Sequence, residues 1–119
     1  MKTKSVNEHL IGKTYDQIIP LLVFDEDQGN CCAYAQWGKI GDHDLPVDLN
    51  TSLLILEGCT LIEYDDIDCD RVVHNFVFNY KGDKVVLGYE LSAGSGSGWA
   101  YSAYVKMSLD NETLAEAWW

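Results

Sequence analysis

The sequence predicts an α+β fold in which a mainly antiparallel sheet of five or six strands carries short helices near the termini. The main observation is that residues 71–80 and 84–91 alternate apolar and polar side chains on either side of a polar turn containing Gly82. This is the pattern of a β-hairpin, because glycine readily adopts the positive φ of a tight connection. Further strand-like runs occur at 31–37, 53–56, 60–64 and 99–107. An all-β barrel with a terminal helix is the alternative.

Alternation assigns one face of the hairpin to the core, because successive side chains of a strand point to opposite sides. The predicted inward residues are Val72, His74, Phe76, Phe78 and Tyr80 in the first strand, and Val85, Leu87, Tyr89 and Leu91 in the second. We expect the rest of the chain to be built onto this hairpin.

The N-terminal part begins with a polar segment, residues 1–13. Thr14 and Gln17 then fit a capping box, in which two side chains satisfy the free backbone groups that begin a helix. The apolar residues that follow predict a helix, and Pro20 requires it to be short or to start later. Residues 25–30 contain three acids and a glycine and are interpreted as a turn.

The middle of the chain is predicted to contain three more strands. Residues 31–37 alternate and read as one strand, and the glycine- and aspartate-rich segment 38–50 is predicted as a loop. Residues 53–56 are continuously apolar, which is typical of a central strand buried on both faces. Residues 60–64 alternate again, and 65–70 form an acidic loop before the hairpin.

The C-terminal part is predicted as a strand followed by a helical turn. Residues 99–107 place Trp99, Tyr101, Ala103, Val105 and Met107 on one face. Asp110 or Asn111 can cap a final helical turn over 112–119. At least one of the two terminal tryptophans is expected to dock on the sheet.

Length and composition indicate one ordered domain over residues 1–119. No apolar stretch approaches the roughly 20 residues of a membrane span, and the basic N-terminus has no apolar run behind it, so no signal peptide is predicted. We therefore expect a cytoplasmic protein with no membrane association. In that compartment the four cysteines, Cys31, Cys32, Cys59 and Cys69, are expected to be reduced, buried thiols.

Charge is the strongest compositional signal. The net charge is −11, and residues 14–70 carry thirteen acids against Lys39 alone. Binding to nucleic acid is disfavoured, because phosphate contacts require lysine and arginine. A basic protein partner is favoured, because complementary charge speeds association. Solubility alone is the competing explanation of the acidic composition.

No metal or cofactor site is predicted. Asp66, Asp68 and Asp70 have the spacing that begins a calcium loop, but Arg71 and Val77 occupy the places that require glycine and glutamate. The glycines of 94–98 do not form a phosphate loop, because no Gly-Lys-Ser/Thr follows and a strand rather than a helix comes next.

No catalytic set is predicted either. His43 lies between two aspartates, but the sequence cannot place the further ligands or reactive groups that a site needs. His74 lies on an apolar strand face, and a Cys69–His74 pair lacks any feature that would lower the pKa of the thiol. The chain is therefore predicted not to be an enzyme.

The acidic segments 25–27, 42–48 and 63–70 are the predicted contact with a basic partner. The partner-binding residues are Asp25, Glu26, Asp27, Asp42, Asp44, Glu63, Tyr64, Asp65, Asp66, Asp68 and Asp70. Tyr64 and Trp37 are the predicted aromatic anchors, because buried aromatic contacts supply most of the affinity of protein interfaces.

These features favour a small inhibitor that covers the catalytic domain of a basic toxin, for example a nuclease. In size, acidity and lack of a catalytic set the chain is similar in character to bacterial immunity proteins, including those of contact-dependent inhibition systems, although no motif matches residue by residue. A nucleic-acid mimic of the anti-restriction or anti-CRISPR type is one alternative. A small ligand-binding domain or enzyme with an unrecognised site is another.

Overall fold

The computed structural model describes residues 2–5, 8–28, 33–65, 69–95 and 103–119. Within these residues the chain forms eight strands: β1 Lys2–Ser5, β2 Val23–Asp27, β3 Ala33–Gly41, β4 Leu54–Asp65, β5 Cys69–Tyr80, β6 Asp83–Ser95, β7 Tyr104–Leu109 and β8 Glu112–Trp118. Four short 3-10 helices, each of three residues, complete the described part: η1 Glu8–Leu10, η2 Tyr15–Gln17, η3 Ile19–Leu21 and η4 Thr51–Leu53. The prediction of a mainly antiparallel protein is confirmed, with more strands than expected.

The strands form two antiparallel sheets. The larger sheet has the order β1-β4-β5-β6-β3 and the smaller one the order β2-β7-β8. In the smaller sheet, β8 packs against β5 and β6, and β7 packs against β6 and β3. The core therefore lies between one face of the large sheet and one face of the small sheet, and the opposite face of each is an outer face.

The predicted central hairpin is confirmed. β5 and β6 pair from Cys69 opposite Gly94 to Tyr80 opposite Asp83. Lys81 and Gly82 connect them with φ of 52° and 94°, and two positive values are the mark of a type I′ turn. The residues predicted to face inward are buried, apart from half-buried positions at the turn end, Tyr80 and Val85.

The segment 53–56 is buried on one face only, against expectation. Leu54 and Leu56 are 0% and 1% exposed, whereas Leu53 and Ile55 are 42% and 38% exposed. The reason is tertiary, because η1 and η2 pack against β4, and Leu10 and Ile18 join Leu54 and Leu56 in the core. Leu53 ends η4, and the rest of the predicted runs 53–56 and 60–64 belongs to one strand, β4, which a bulge between Leu56 and Gly58 interrupts.

The prediction of an acidic turn at 25–30 is wrong for its first half, which is the end of a strand. Asp25 to Asp27 lie in β2 and pair antiparallel with β7. β3 continues through Gly38 to Gly41, so the predicted loop 38–50 starts later than expected. Gly41 has φ of 88°, and a Cβ there would lie 2.6 Å from the carbonyl oxygen of Val86, so only glycine fits.

The predicted C-terminal helical turn is wrong. Residues 112–118 form β8, which pairs with β7 through a two-residue turn. Asp110 and Asn111 occupy that turn with φ of 51° and 65°, so they make a hairpin instead of capping a helix. Trp119 packs against the core and donates its backbone N–H to the Ala103 carbonyl oxygen at 2.9 Å, which confirms the docking of a terminal tryptophan.

At the N-terminal side, the predicted short helix is a pair of 3-10 helices, η2 and η3. The Thr14 N–H donates to Oε1 of Gln17 at 2.9 Å, as the capping box requires. Pro20 lies within η3, where its fixed φ is tolerated. None of the helices in the described residues is long and apolar enough to cross a membrane.

Candidate protein-binding surface

The outer face of the small sheet combines aromatic and acidic side chains. In each strand of the small sheet, successive side chains alternate between the inner and the outer face. Phe24 of β2, Val105 of β7 and Ala117 of β8 point inward, so the residues next to them in each strand point outward. The register aligns two outward rows across the three strands: Asp27, Tyr104 and Trp118 in one, and Asp25, Lys106 and Glu116 in the other. Because neighbouring strands lie about 4.8 Å apart, each row spans only about 10 Å.

Tyr104 and Trp118 form the centre of this face. Their rings stack with centroids 5.1 Å apart and planes 27° apart. Trp118 is nevertheless 55% exposed. Its backbone N–H donates to Oδ2 of Asp70 at 2.9 Å, which ties the end of β8 to the start of β5. A large aromatic surface is thus held in place and left open to solvent.

Acids outnumber bases around the aromatic pair. Asp25, Asp27 and Glu116 are exposed, and Lys106 is the one base in the two rows. We call these six residues together the acidic aromatic face: Asp25, Asp27, Tyr104, Lys106, Glu116 and Trp118. Its charge is negative, and its most exposed apolar component is Trp118.

Several predicted partner-binding residues lie at or beside this face. Asp25 and Asp27 belong to it, and Asp70 borders it through the hydrogen bond to Trp118. Glu26 alternates to the other side of β2, opposite Val105. The pairing of Asp27 with Tyr104 and of Tyr104 with Trp118, together with the hydrogen bond from Trp118 to Asp70, brings Asp25, Asp27 and Asp70 to one end of the molecule.

The remaining residues of the 63–70 segment have different surroundings. Glu63 is half-buried and opposite Val72, on the core-facing side of β4. Tyr64 lies on the outer face of the large sheet, with the Arg71 guanidinium carbon 4.1 Å from its ring centroid. Asp65 pairs with Asp70 through the backbone ladder. The predicted residues Asp66 and Asp68 lie outside the described part of the chain.

The predicted segment 42–48 lies at the opposite end. Asp42 accepts from the Val86 N–H at 3.1 Å through Oδ2 and donates its own N–H to the Val86 carbonyl oxygen at 2.9 Å. Val86 lies near the turn end of the hairpin, where Tyr80 ends β5. At a strand rise of about 3.3 Å per residue, Tyr80 is about 33 Å along β5 from Asp70. The three acidic segments therefore do not form a single surface, and Asp44 lies with Asp42, remote from the acidic aromatic face.

Trp37, the second predicted anchor, joins the two sheets. It stacks on Phe24 of β2 with ring centroids 3.8 Å apart and planes 9° apart, and it is 39% exposed. Phe24 also contacts Tyr89 at a centroid distance of 5.3 Å. Most of the tryptophan surface is therefore used for packing within the molecule.

Tyr104, Glu116 and Trp118 were not among the predicted site residues. A signal for Tyr104 was present, because a strand with Ala103, Val105 and Met107 inward must turn Tyr104 outward. Glu116 and Trp118 were missed because 112–119 was interpreted as helical. Side chains share a face every 3.6 residues in a helix but every two residues in a strand, so the helical interpretation does not place these two on one outer face.

Two buried ionisable groups of the core, His74 and Cys59, are both neutral near pH 7. Burial lowers the pKa of His74 to about 4 and raises the pKa of Cys59 to about 12. Cys69 and His74, five positions apart on β5, are separated by about 17 Å, too far for proton transfer. Cys59 is a buried free thiol, Cys69 is half-buried rather than buried as predicted, and Cys31 and Cys32 lie outside the described residues. Across the described ranges, no group of three or more His, Cys, Asp or Glu side chains is placed to hold a metal ion.

Comparison of the chain with protein-family models, curated protein sequences and solved structures gives no match.

Proposed function

We propose that the protein binds and neutralises a basic protein partner through the acidic aromatic face. More specifically, we propose a cytoplasmic, non-enzymatic immunity protein that covers the catalytic domain of a cognate bacterial toxin, of the nuclease type found in contact-dependent inhibition systems. The single observation that carries the proposal is the stacked Tyr104–Trp118 pair, in which Trp118 is exposed, with Asp25, Asp27 and Glu116 around it.

The aromatic pair provides the apolar centre that a tight interface needs. Tryptophan and tyrosine dominate binding hot spots because they bury a large area at little cost in side-chain entropy. Trp118 is already positioned by Tyr104 and by the hydrogen bond of its backbone to Asp70. A partner would therefore bury its exposed surface without first having to order it.

The acids provide steering toward a basic surface. An enzyme that cleaves nucleic acid must present lysine and arginine to the phosphate backbone. A surface that carries three acids and one base within two strand rows is complementary to such a site. Occupying that site with protein would exclude the nucleic acid, so inhibition requires no chemistry from the inhibitor.

The test begins with the protein encoded immediately upstream of this chain, produced together with it and purified as a complex. Association is measured by stopped-flow fluorescence for the wild type, for Asp25→Asn/Glu116→Gln and for Asp110→Asn/Glu112→Gln. Both double variants remove two negative charges. The second pair lies in the β7–β8 turn region, about 20 Å along β8 from Trp118.

We expect the Asp25/Glu116 variant to associate at least about threefold more slowly at low salt, because steering depends on charge near the contact. The difference should shrink as the Debye length falls from about 10 Å at 0.1 M salt to about 3 Å at 1 M. The Asp110/Glu112 variant should stay close to wild type. Failure of the wild type to bind the neighbouring product, or equal slowing by both double variants, would overturn the proposal.

A further inference from the structure

A groove of about 520 Å³ lies at the end of the molecule opposite the Trp118 end, between the segment after β3 and the β5–β6 turn. Leu45, Leu49, Tyr80 and Val85 contribute apolar surface to it. The carboxylates that line it include those of Asp44 and Asp83. A volume of this size falls in the range of about 300–1,000 Å³ that is usual for ligand sites.

Hydrogen bonds to the hairpin hold the groove open. Asp42 is bound to Val86 through both its backbone N–H and its carboxylate, as described above. The next residue, His43, makes a hydrogen bond of 2.8 Å between Nε2 and the Gly88 carbonyl oxygen. At the far end of the segment, the Asn50 N–H donates to Oη of Tyr80 at 3.4 Å. The wall formed by this segment is therefore anchored at both ends, so a ligand meets a preformed site.

The charges in the groove favour a cation. Asp44 and Asp83 are exposed, and neither carboxylate has a hydrogen bond or ion pair within the part of the chain that the structure describes. Lys84 is the one base that lines the groove. Close by, the ammonium of Lys81 lies 5.4 Å from the Tyr80 ring centroid, so this corner of the molecule already places a cation against an aromatic ring.

We propose that the groove binds an arginine or lysine side chain that projects from a basic polypeptide segment. The methylene stem of that side chain packs on Leu45 and Leu49, and its charged head lies between Asp44 and Asp83. Long basic side chains suit such a site because their stems are apolar and their heads are polar. The groove shares no residue with the acidic aromatic face, so this proposal does not depend on the proposed function.

The test uses the tripeptide acetyl-Leu-Arg-Leu-amide and a matched probe in which citrulline replaces arginine. Citrulline has nearly the same shape as arginine and no charge. Each probe is titrated into the isotope-labelled protein, and the backbone amide signals of Leu45, Leu49 and Val85 are followed by NMR. We expect saturable shifts for the arginine probe, with a Kd on the order of 1 mM, and at least about fivefold weaker binding of the citrulline probe.

Two double variants then locate the site. Asp44→Asn/Asp83→Asn should weaken binding of the arginine probe by at least about fivefold, which corresponds to about 1 kcal/mol. Asp110→Asn/Glu112→Gln, which changes neither the groove nor the acidic aromatic face, has the same net charge and should bind the probe as the wild type does. The dispersed spectrum of each variant verifies that it is folded.

Equal binding of the two probes would overturn the proposal, as would equal weakening by the two variants or shifts confined to other parts of the molecule. These outcomes leave the proposed function unaffected, because that function is measured by association with the neighbouring gene product at the acidic aromatic face.

Discussion

The two sheets both place an aromatic side chain on an outer face, but they use it differently. On the large sheet, Arg71 lies over the Tyr64 ring and its guanidinium Nη1 is 3.7 Å from Oε2 of Glu90. On the small sheet, Tyr104 and Trp118 stack on each other and acids outnumber the neighbouring base. The first group is satisfied by contacts within the molecule, whereas the second leaves Trp118 55% exposed, with Asp25 and Glu116 exposed on the same face.

The comparison shows that an aromatic residue beside acids is not enough to mark a binding surface. Tyr64 satisfies that description in the sequence, and it was a predicted anchor for this reason. Its value as an anchor is reduced because a partner must displace or accommodate Arg71 before it can bury the ring. The buried hairpin should therefore respond to substitution differently from the two outer faces.

The hairpin core should carry far more stability than either outer face. Phe76 is fully buried on the inner side of β5, so Phe76→Ala should lower the free energy of unfolding by about 3–5 kcal/mol. The matched control is Val77→Ala, one residue further along the strand and half-buried on the outer face, which should cost only about 1 kcal/mol. Denaturant unfolding measures both values, and a loss below about 1 kcal/mol for Phe76→Ala would show that the faces are reversed.

The hairpin core should also be the part of the molecule that responds to mild acid. Burial lowers the pKa of His74 from 6.5 to about 4, so between these pH values the unfolded chain binds a proton that the folded chain does not. Stability is therefore expected to fall as pH decreases from 6.5 toward 4, with a contribution from this group of up to about 3 kcal/mol.

Denaturant unfolding at pH 7, 5.5 and 4 measures this loss. In His74→Leu the part of the pH dependence that comes from the imidazole should disappear, because no ionisable group remains at that position. An identical pH dependence in the wild type and the variant would contradict the assignment of a neutral, buried His74.

Substitutions on the two outer faces should have different effects on the affinity for a partner. Trp118→Ala is expected to weaken the complex with the proposed basic partner by about 2 kcal/mol, close to a 30-fold increase in Kd, chiefly through faster dissociation. Tyr64→Ala should change Kd by less than about threefold, because its ring faces Arg71 rather than a partner.

Calorimetry or surface plasmon resonance gives both Kd values, and denaturant unfolding verifies that Trp118→Ala remains as stable as the wild type to within about 1 kcal/mol. A larger effect from Tyr64→Ala than from Trp118→Ala would move the contact to the large sheet and reverse the comparison.

The sequence by itself determined the central hairpin, its buried face and its turn. Strand alternation and the positive φ of Gly82 are properties of a few consecutive residues, so no distant part of the chain is needed to interpret them. The same holds for the capping interaction of Thr14 with Gln17, which links residues three positions apart.

Only the tertiary structure decided the C-terminal strand and the surface it completes. Asp110 and Asn111 are suited both to a helix cap and to a tight hairpin turn, and the neighbouring strand β7 selects the hairpin by providing a backbone ladder for 112–118. The position of Asp27 beside Tyr104, and of Trp118 beside Asp70, depends on strand register and on the packing of one sheet against the other. Side-chain periodicity is a local property, whereas the choice of pairing partner is made between segments far apart in the chain, and this is why the acidic aromatic face could not be derived from spacing alone.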